Sequence, residues 1–285
     1  MTSKPLINRR TFLKKSLQYV LGFIGSVGLP SVYAYQVEPY WIQTKHIDIS
    51  LPRLPEAFRG FRICQFSDIH LGYHFGLENL SSLVEQIQTV HADVICFTGD
   101  LFDRETVDVS ETARHFSQLN APYGKIAVLG NHDNWGNREA VNRVLKTADF
   151  QVLHNTHVPL RKEGEVLFLA GVDDPWVGKP DITSALRGIP EESCTILLAH
   201  EPDFADEYSR YPIDLQLSGH SHGGQIQLPW VGPLYTPPHS SKYPDGLYTV
   251  QNRRLQVYTT RGIGMTRAPV RFNCRPELTV ITLNP

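Results

Sequence analysis

Three stretches decide the fold: FRICQFSDIH at residues 61–70, VICFTGD at 94–100 and IAVLGNHD at 126–133. Each is an apolar run of strand length that stops at a polar cluster. Between the first two, Leu77, Leu80, Leu83, Val84, Ile87 and Val90 recur at three- and four-residue steps, the pattern of an amphipathic helix. Residues 109–119 carry a second, weaker helical pattern, and Ala140, Val141, Val144, Leu145 and Ala148 mark a third. The order is β-α-β-α-β-α, and the polar ends recur every 31–32 residues, one β-α unit each. Parallel strands joined by right-handed crossovers bring all their carboxyl ends to one edge. Ligands of open α/β sheets bind at that edge.

Working outward, residues 46–51 alternate and read as a strand at a sheet edge. Downstream, residues 151–153, 157–160, 166–172, 195–200, 215–218, 225–228, 247–250, 255–259 and 278–283 read as strands of a second sheet facing the first. Pro229, Gly232, Pro233, Pro237 and Pro238 punctuate them, and short helical patterns lie near 182–186 and 204–208. The expected fold class is α/β, a four-layer α/β/β/α sandwich of two facing mixed sheets with flanking helices. The 285 residues suit one such domain, and no internal repeat or long linker divides them.

The amino terminus reads as a separate object. All charge in residues 1–37 is positive, from Lys4, Arg9, Arg10, Lys14 and Lys15. A mostly apolar run over 17–29 follows, too short by itself for a membrane span. Val32-Tyr33-Ala34 then supplies a cleavage-like site. Arg9-Arg10-Thr11-Phe12-Leu13-Lys14 resembles the twin-arginine export signal, with Asn8 where Ser or Thr is commoner. Residues 1–34 are therefore expected to be a twin-arginine-type signal peptide or anchor, and 35–285 the working domain, periplasmic or membrane-associated. Removing 1–34 takes five of the 27 bases and none of the 29 acids, and leaves a formal charge of −7. An acidic domain without a basic run disfavours a nuclease, and no nucleic-acid partner is expected.

Five polar clusters end expected strands: Asp68-x-His70, Gly99-Asp100, Gly130-Asn131-His132-Asp133, His200, and Gly219-His220-Ser221-His222. Imidazole and oxygen donors without thiolate suit Mn²⁺, Fe or Zn²⁺. Two metals need a shared ligand, and Asp100 stands centrally in chain order. Asp-x-His and His-x-His would each put two donors on one side of an extended segment. The glycines before Asp100, Asn131 and His220 suit close backbone approach.

In this order and spacing the clusters, with Gly99 to Asp103 read as Gly-Asp-x-x-Asp, resemble the calcineurin-like metallophosphoesterase family. Residues 220–225, 260–264 and 273–277 resemble a bacterial branch of exported phosphodiesterases and UDP-2,3-diacylglucosamine pyrophosphate hydrolases. The resemblance implies two divalent ions, Mn²⁺, Zn²⁺ or Fe, one on Asp68, His70, Asp100 and His222 and the other on Asp100, Asn131, His200 and His220. It implies in-line attack on phosphorus by a metal-bridging hydroxide. His132 would protonate or steady the leaving oxygen, and Asp133 would orient His132 by hydrogen bonding. The expected substrate is a phosphodiester or pyrophosphate, envelope-related or lipid-linked. Twin-arginine machinery and a membrane surface are the expected partners. The alternative function is a non-catalytic, metal-stabilised binding or scaffold module, against which the intact His132 argues.

Other residues carry weaker readings. His74 and His239 are candidates to line the cleft, whereas His46, His91, His115, His154 and His157 fit no motif. Arg104, Arg261, Arg267 and Arg271 are candidate phosphate partners. Asp103 is a candidate brace for a ligating His. Trp230, Val231, Leu234 and Tyr235 offer either an apolar substrate surface or a packed loop. If the 61–66 and 94–98 strands align in register, Cys64 and Cys96 lie side by side as buried thiols, since a disulfide there would be strained.

Overall fold

The computed structural model describes residues 8–103, 108–250 and 254–285. Lys4 and Arg104 of the expectations above lie outside the described residues. From Arg9 to Tyr40 the chain is helical throughout, via α1 (Arg9–Phe23), a π-helical stretch, α2 (Leu29–Val32), a second π-helical stretch and a 3₁₀ turn. This segment is long and apolar enough to cross a membrane by length and composition, longer than the 17–29 run suggested.

The strands of the β-α rhythm fall where the apolar runs put them. After β1 (Gln43–Ser50) come β2 (Arg62–Phe66), α3 (Leu77–Thr89), β3 (Val94–Phe97), α4 (Val109–Phe116) and β4 (Lys125–Ala127). Two helices follow, α5 (Asn131–Trp135) and α6 (Arg138–Thr147), and then β5 (Phe150–Val152). The second half holds β6 (Thr156–Lys162), β7 (Glu165–Gly171), α7 (Ile182–Ala185), β8 (Thr195–Leu198), α8 (Ala205–Tyr208) and β9 (Leu215–Ser218). It closes with β10 (Gln227–Leu228), β11 (Gly232–Pro233), β12 (Gly246–Thr249), β13 (Gln256–Thr259) and β14 (Glu277–Asn284).

Two six-stranded mixed sheets result, ordered β1-β14-β2-β3-β4-β5 and β12-β13-β9-β8-β7-β6. Strand alternation divides the core into three slabs. Phe66, Phe97 and Leu278 face α3, α4 and α6, meeting Leu83, Ile87, Phe116, Val141 and Leu145. Ile63, Val128 and Ile281 face the second sheet, meeting Leu169, Ile196 and Leu217. Ala170, Leu197 and Val257 face α7 and α8. This is the expected four-layer α/β/β/α sandwich.

Three details depart from the expectation. The strands at residues 151–153 and 278–283 belong to the first sheet, where β14 runs antiparallel to β2 and parallel to β1. The run at 225–228 joins neither sheet, because β10 pairs only with β11 in a hairpin. Cys64 and Cys96 are not side by side: Cys64 is opposite Ile95, and Cys96 is opposite Gln65. That one-residue offset sends the two thiols to opposite faces of the sheet. All four cysteines are free and buried, and burial pushes the Cys64 thiol up to about 12.

Candidate metal centre

The site grows from the carboxyl ends of β2, β3, β4, β8 and β9. After β2 and β3 the chain continues in paired loops: Asp68 N donates to Gly99 O, Ile69 N to Asp100 O and Leu71 N to Leu101 O. These segments are not extended. Asp68, His70, Asp100, His220 and His222 all have φ between +46° and +68°. Five left-handed residues, at roughly 1–3 kcal/mol each, are tolerated only where surrounding structure holds them. The same-side rule for Asp-x-His and His-x-His therefore fails on its premise, and backbone handedness is what makes the donors converge. Gly99 shows how tight the packing is: at φ +103° its Cβ would lie 2.6 Å from Gly130 N and 2.7 Å from His200 Nδ1.

Three groups of donors overlap. Asp68, His70 and His222 form one, Asp100, His200 and His220 another, and His70, Asp100 and His132 a third that joins them. Within each, one ligand atom per residue lies within 4.8 Å of the rest. His70 Nε2 and His222 Nε2 are 3.1 Å apart, and His222 Nε2 is 3.5 Å from Asp68 Oδ1. His200 Nδ1 lies 2.6 Å from Thr98 O. A carbonyl only accepts, so a proton sits on Nδ1, and Nε2 faces Asp100 Oδ2, 3.2 Å away. His220 Nε2 donates to Pro238 O at 2.9 Å, which leaves Nδ1 as its free donor atom. Asn131, from the first turn of α5, is buried, and its Oδ1 has no hydrogen-bond partner. The seven expected ligands are thus gathered in one place.

These residues fit divalent cations. Asp68, Asp100, His70 and His200 are all buried, and the buried Asn131 Oδ1 has no hydrogen-bond partner among the described residues. Burial raises the Asp68 carboxyl, and Asp100 adds to the effect. Burial also works against Asp100, but His200 outweighs it and holds that carboxyl well below its usual range. The adjoining Glu201 is raised well above its usual value, first by burial. Burial opposes a charge on His200, but Asp100 outweighs it and raises that imidazole well above its usual value, so a cation bound here would take the place of that proton. Burial, followed by His70, keeps the His222 imidazole neutral, the form that ligates.

The expectation for Asp133 is corrected. Its Oδ2 accepts from Gly130 N and Asp100 N, both at 2.9 Å, and its Oδ1 from Leu101 N at 2.8 Å. Consecutive residues of a helix do not face each other, so Asp133 turns away from His132 and ties down the Asp100 loop. Asp103 is the carboxylate beside His132: its Oδ1 is 3.5 Å from His132 Nδ1 and 3.4 Å from His70 Nδ1. His132 also packs edge-on against His70, with ring centroids 4.6 Å apart, and its backbone N–H donates to Asp100 Oδ1 at 2.9 Å.

The weaker candidates separate. Arg271 is buried and spends its guanidinium on the carbonyls of Gly264, Arg261 and Cys274. Arg261 pairs with Glu277 at 2.8 Å. Both hold loops and do not reach into the cleft as phosphate partners. Arg267 stacks over Tyr235 beside a cavity of about 150 Å³ lined by His222, Leu234 and Tyr235. His74 is exposed and packs edge-on against Tyr35 and Tyr73. His239 touches Trp176, which in turn touches His220, and Trp135 links Trp176 to His132. This aromatic wall carries no spacing signal in the sequence. Asp174, buried at the end of β7 and bonded to Asn134 Nδ2, obeys the same strand-end rule as the ligands and is findable by it.

A centre of Asp, His and Asn on the carboxyl edge of two facing sheets defines a candidate metal-dependent hydrolase. The calcineurin-like phosphoesterase family model matches residues 61–224, and the chain belongs to that family. It is 40% identical to "Uncharacterized metallophosphoesterase YkuE" of Bacillus subtilis, over 97% of this chain and 98% of that one. It is 30% identical to "Phosphodiesterase YaeI" of Escherichia coli, over 98% and 100%. It is 27% identical to "UDP-2,3-diacylglucosamine pyrophosphatase LpxG" of Chlamydia trachomatis, over 87% and 91%. The last two names are those of phosphoester and pyrophosphate hydrolases.

Proposed function

We propose that this chain hydrolyses a phosphodiester or pyrophosphate with two divalent ions. One is held by Asp68, His70, Asp100 and His222, the other by Asp100, Asn131, His200 and His220, with Asp100 shared. The observation that carries the reading is the convergence of Asp68, His70 and His222 on Asp100, His200 and His220. When bound, such ions polarise phosphoryl oxygens and lower the pKa of water. The protein's own residues do the rest. Asp133 fixes the Asp100 loop through three backbone N–H groups. Thr98 O fixes the His200 tautomer, and Pro238 O fixes that of His220. His132, with Asp103 on its Nδ1 side, would steady or protonate the departing oxygen; burial first lowers its pKa and so favours release of a proton it carries. The reading includes residues 1–34 as a twin-arginine export signal or anchor and 35–285 as the catalytic domain. An envelope or lipid-linked phosphoester is the favoured substrate, supported by the apolar cavity beside His222.

Full chain stripped with EDTA and reloaded with Mn²⁺, Zn²⁺ or Fe²⁺ should hydrolyse bis-p-nitrophenyl phosphate only after reloading. A panel including nucleotide-diphosphate lipids then ranks substrates. Metal retained with no turnover across that panel would favour the scaffold alternative.

A further inference from the structure

The β10–β11 hairpin is anomalous as a piece of fold. Its tip is Pro229, Trp230 and Val231, and Trp230 sits at φ +64° with its side chain fully exposed, at 103% of reference. A left-handed turn position suits Gly or Asn, and a bulky aromatic there is strained. The ring gains no packing in exchange. Val231, Leu234 and Tyr235 are exposed beside it, so the hairpin presents one continuous apolar ridge. Its base, by contrast, is held firmly. Gln227 N donates to Phe272 O at 2.9 Å, Gln227 Nε2 to Gly223 O at 3.0 Å and Leu234 N to Ile226 O at 3.0 Å. Gly223 directly follows His222, so the ridge is fixed relative to the metal centre.

Three further observations identify what the ridge meets. Pro229, which opens the turn, lines the same cavity as Tyr33, in the last turns of the helical segment that is apolar enough to span a membrane. Ala34 O in that segment accepts from Arg271 N at 2.9 Å, which ties it to the body beside the hairpin. Cations flank both parts: Arg267 lies 5.0 Å over the Tyr235 ring, and Arg275 lies 3.9 Å over Trp41. Trp and Tyr tips with adjoining Arg are the chemistry of a membrane interface with anionic head groups.

We propose that this hairpin is a bilayer-docking element. Trp230 and Val231 enter the interfacial layer of an anionic phospholipid membrane, Arg267 and Arg275 meet its head groups, and the centre around His222 is held at the lipid surface. The docking itself is independent of the proposed reaction; only its kinetic test rests on that reading.

The test uses the full chain on vesicles of phosphatidylethanolamine and phosphatidylglycerol with brominated acyl chains. The difference in tryptophan emission between wild type and Trp230→Phe isolates Trp230. Bromine should quench that difference at least twofold relative to unbrominated vesicles, and equal emission on both would overturn the proposal. In a second arm, Trp230→Ser combined with Val231→Ser should leave hydrolysis of soluble bis-p-nitrophenyl phosphate within twofold of wild type. Hydrolysis of a vesicle-embedded acyl phosphodiester should fall at least fivefold, and equal loss on both substrates refutes the docking role. If wild type hydrolyses neither, the proposed reaction fails and the quenching arm alone judges the hairpin. If sedimentation shows the serine variants splitting a dimer while Trp230 stays unquenched, the ridge meets a second copy of the chain and the proposal falls.

Discussion

Replacing Asp133 with Asn changes almost no volume and tests whether this carboxylate serves the backbone or His132. Its two oxygens accept three buried N–H groups, two on Oδ2 and one on Oδ1. An amide keeps one oxygen, so at best the Gly130 and Asp100 bonds survive while an NH₂ group is turned onto Leu101 N–H. The loss is one charge-assisted bond, worth about 1.5–3 kcal/mol, plus a buried donor left unpaired at about 1–3 kcal/mol. The sum, about 2.5–6 kcal/mol, corresponds to a melting point lowered by roughly 5–20 °C in a domain of this size. The measurement belongs at pH 8, because burial first and the Asp100 charge second push Asp133 up to about 7. Circular dichroism melts of metal-loaded and EDTA-treated protein should both show the shift, since all three bonds run from backbone N–H groups and not from metal-ligating atoms. An Asp133→Asn protein that melts within about 1 °C of wild type but turns over slowly would refute the reasoning and return Asp133 to the orientation of His132.

Other outcomes follow from the same geometry. His132→Ala should slow hydrolysis of an alkyl phosphodiester by about 10²–10⁴-fold, less for a p-nitrophenyl ester whose leaving group needs no proton, with metal content by mass spectrometry unchanged. Asp100→Ala should lose both metal and activity. Gly219→Ala would bring a Cβ within 2.1 Å of Ser67 Oγ and 2.2 Å of Asp68 Oδ2; the expected cost is about 1–3 kcal/mol of stability and weaker Mn²⁺ binding in calorimetric titration. Burial works to raise the Glu277 carboxyl, but Arg261 and Lys45 outweigh it and its pKa lies below 4.5. Its stabilisation is therefore complete above pH 4.5 and is lost as the pH falls through the lower folded value. Urea midpoints should drop more steeply on acidification in wild type than in Glu277→Gln.

The first three β-α units were legible because their signals are local: an apolar run, a helical repeat and a polar end. Their side-by-side order follows from handedness and crossover rules, which is why Asp68, Asp100 and Asn131 could be grouped before any coordinates. The sheet assignment of residues 278–283 was not legible, because partner choice between distant strands leaves no trace in the strand's own alternation. Register fails for a related reason: Cys64 and Cys96 each stand four residues before an Asp, yet the loops absorb one residue and the thiols part. At the site, the donor cluster and the Asp103 brace were legible, and the backbone handedness and the role of Asp133 were not. A left-handed Asp68 or His222 reads like any other Asp or His, and a carboxylate's choice between a neighbouring imidazole and three backbone N–H groups depends on a fold that must already exist. Asp133 therefore bonds the Asp100 loop rather than His132, while Asp103 lies beside both His70, as a brace would, and His132.

The insertion of β14 between β1 and β2 has a consequence for the timing of assembly. Gln43 is opposite Glu277, and Arg62 is opposite Thr282. Both early strands must wait for a partner that leaves the ribosome only after the whole second sheet has been made. Until then β2 has an open flank, and Asp68 and its neighbours stand on an unfinished scaffold. Ile263 N and Gly264 N, which donate to Ser67 O and Asp68 O, are late arrivals as well. Translation order thus leaves the scaffold under Asp68 incomplete until residues 263–284 have been made, long after the strands that carry Asp68, Asp100 and Asn131.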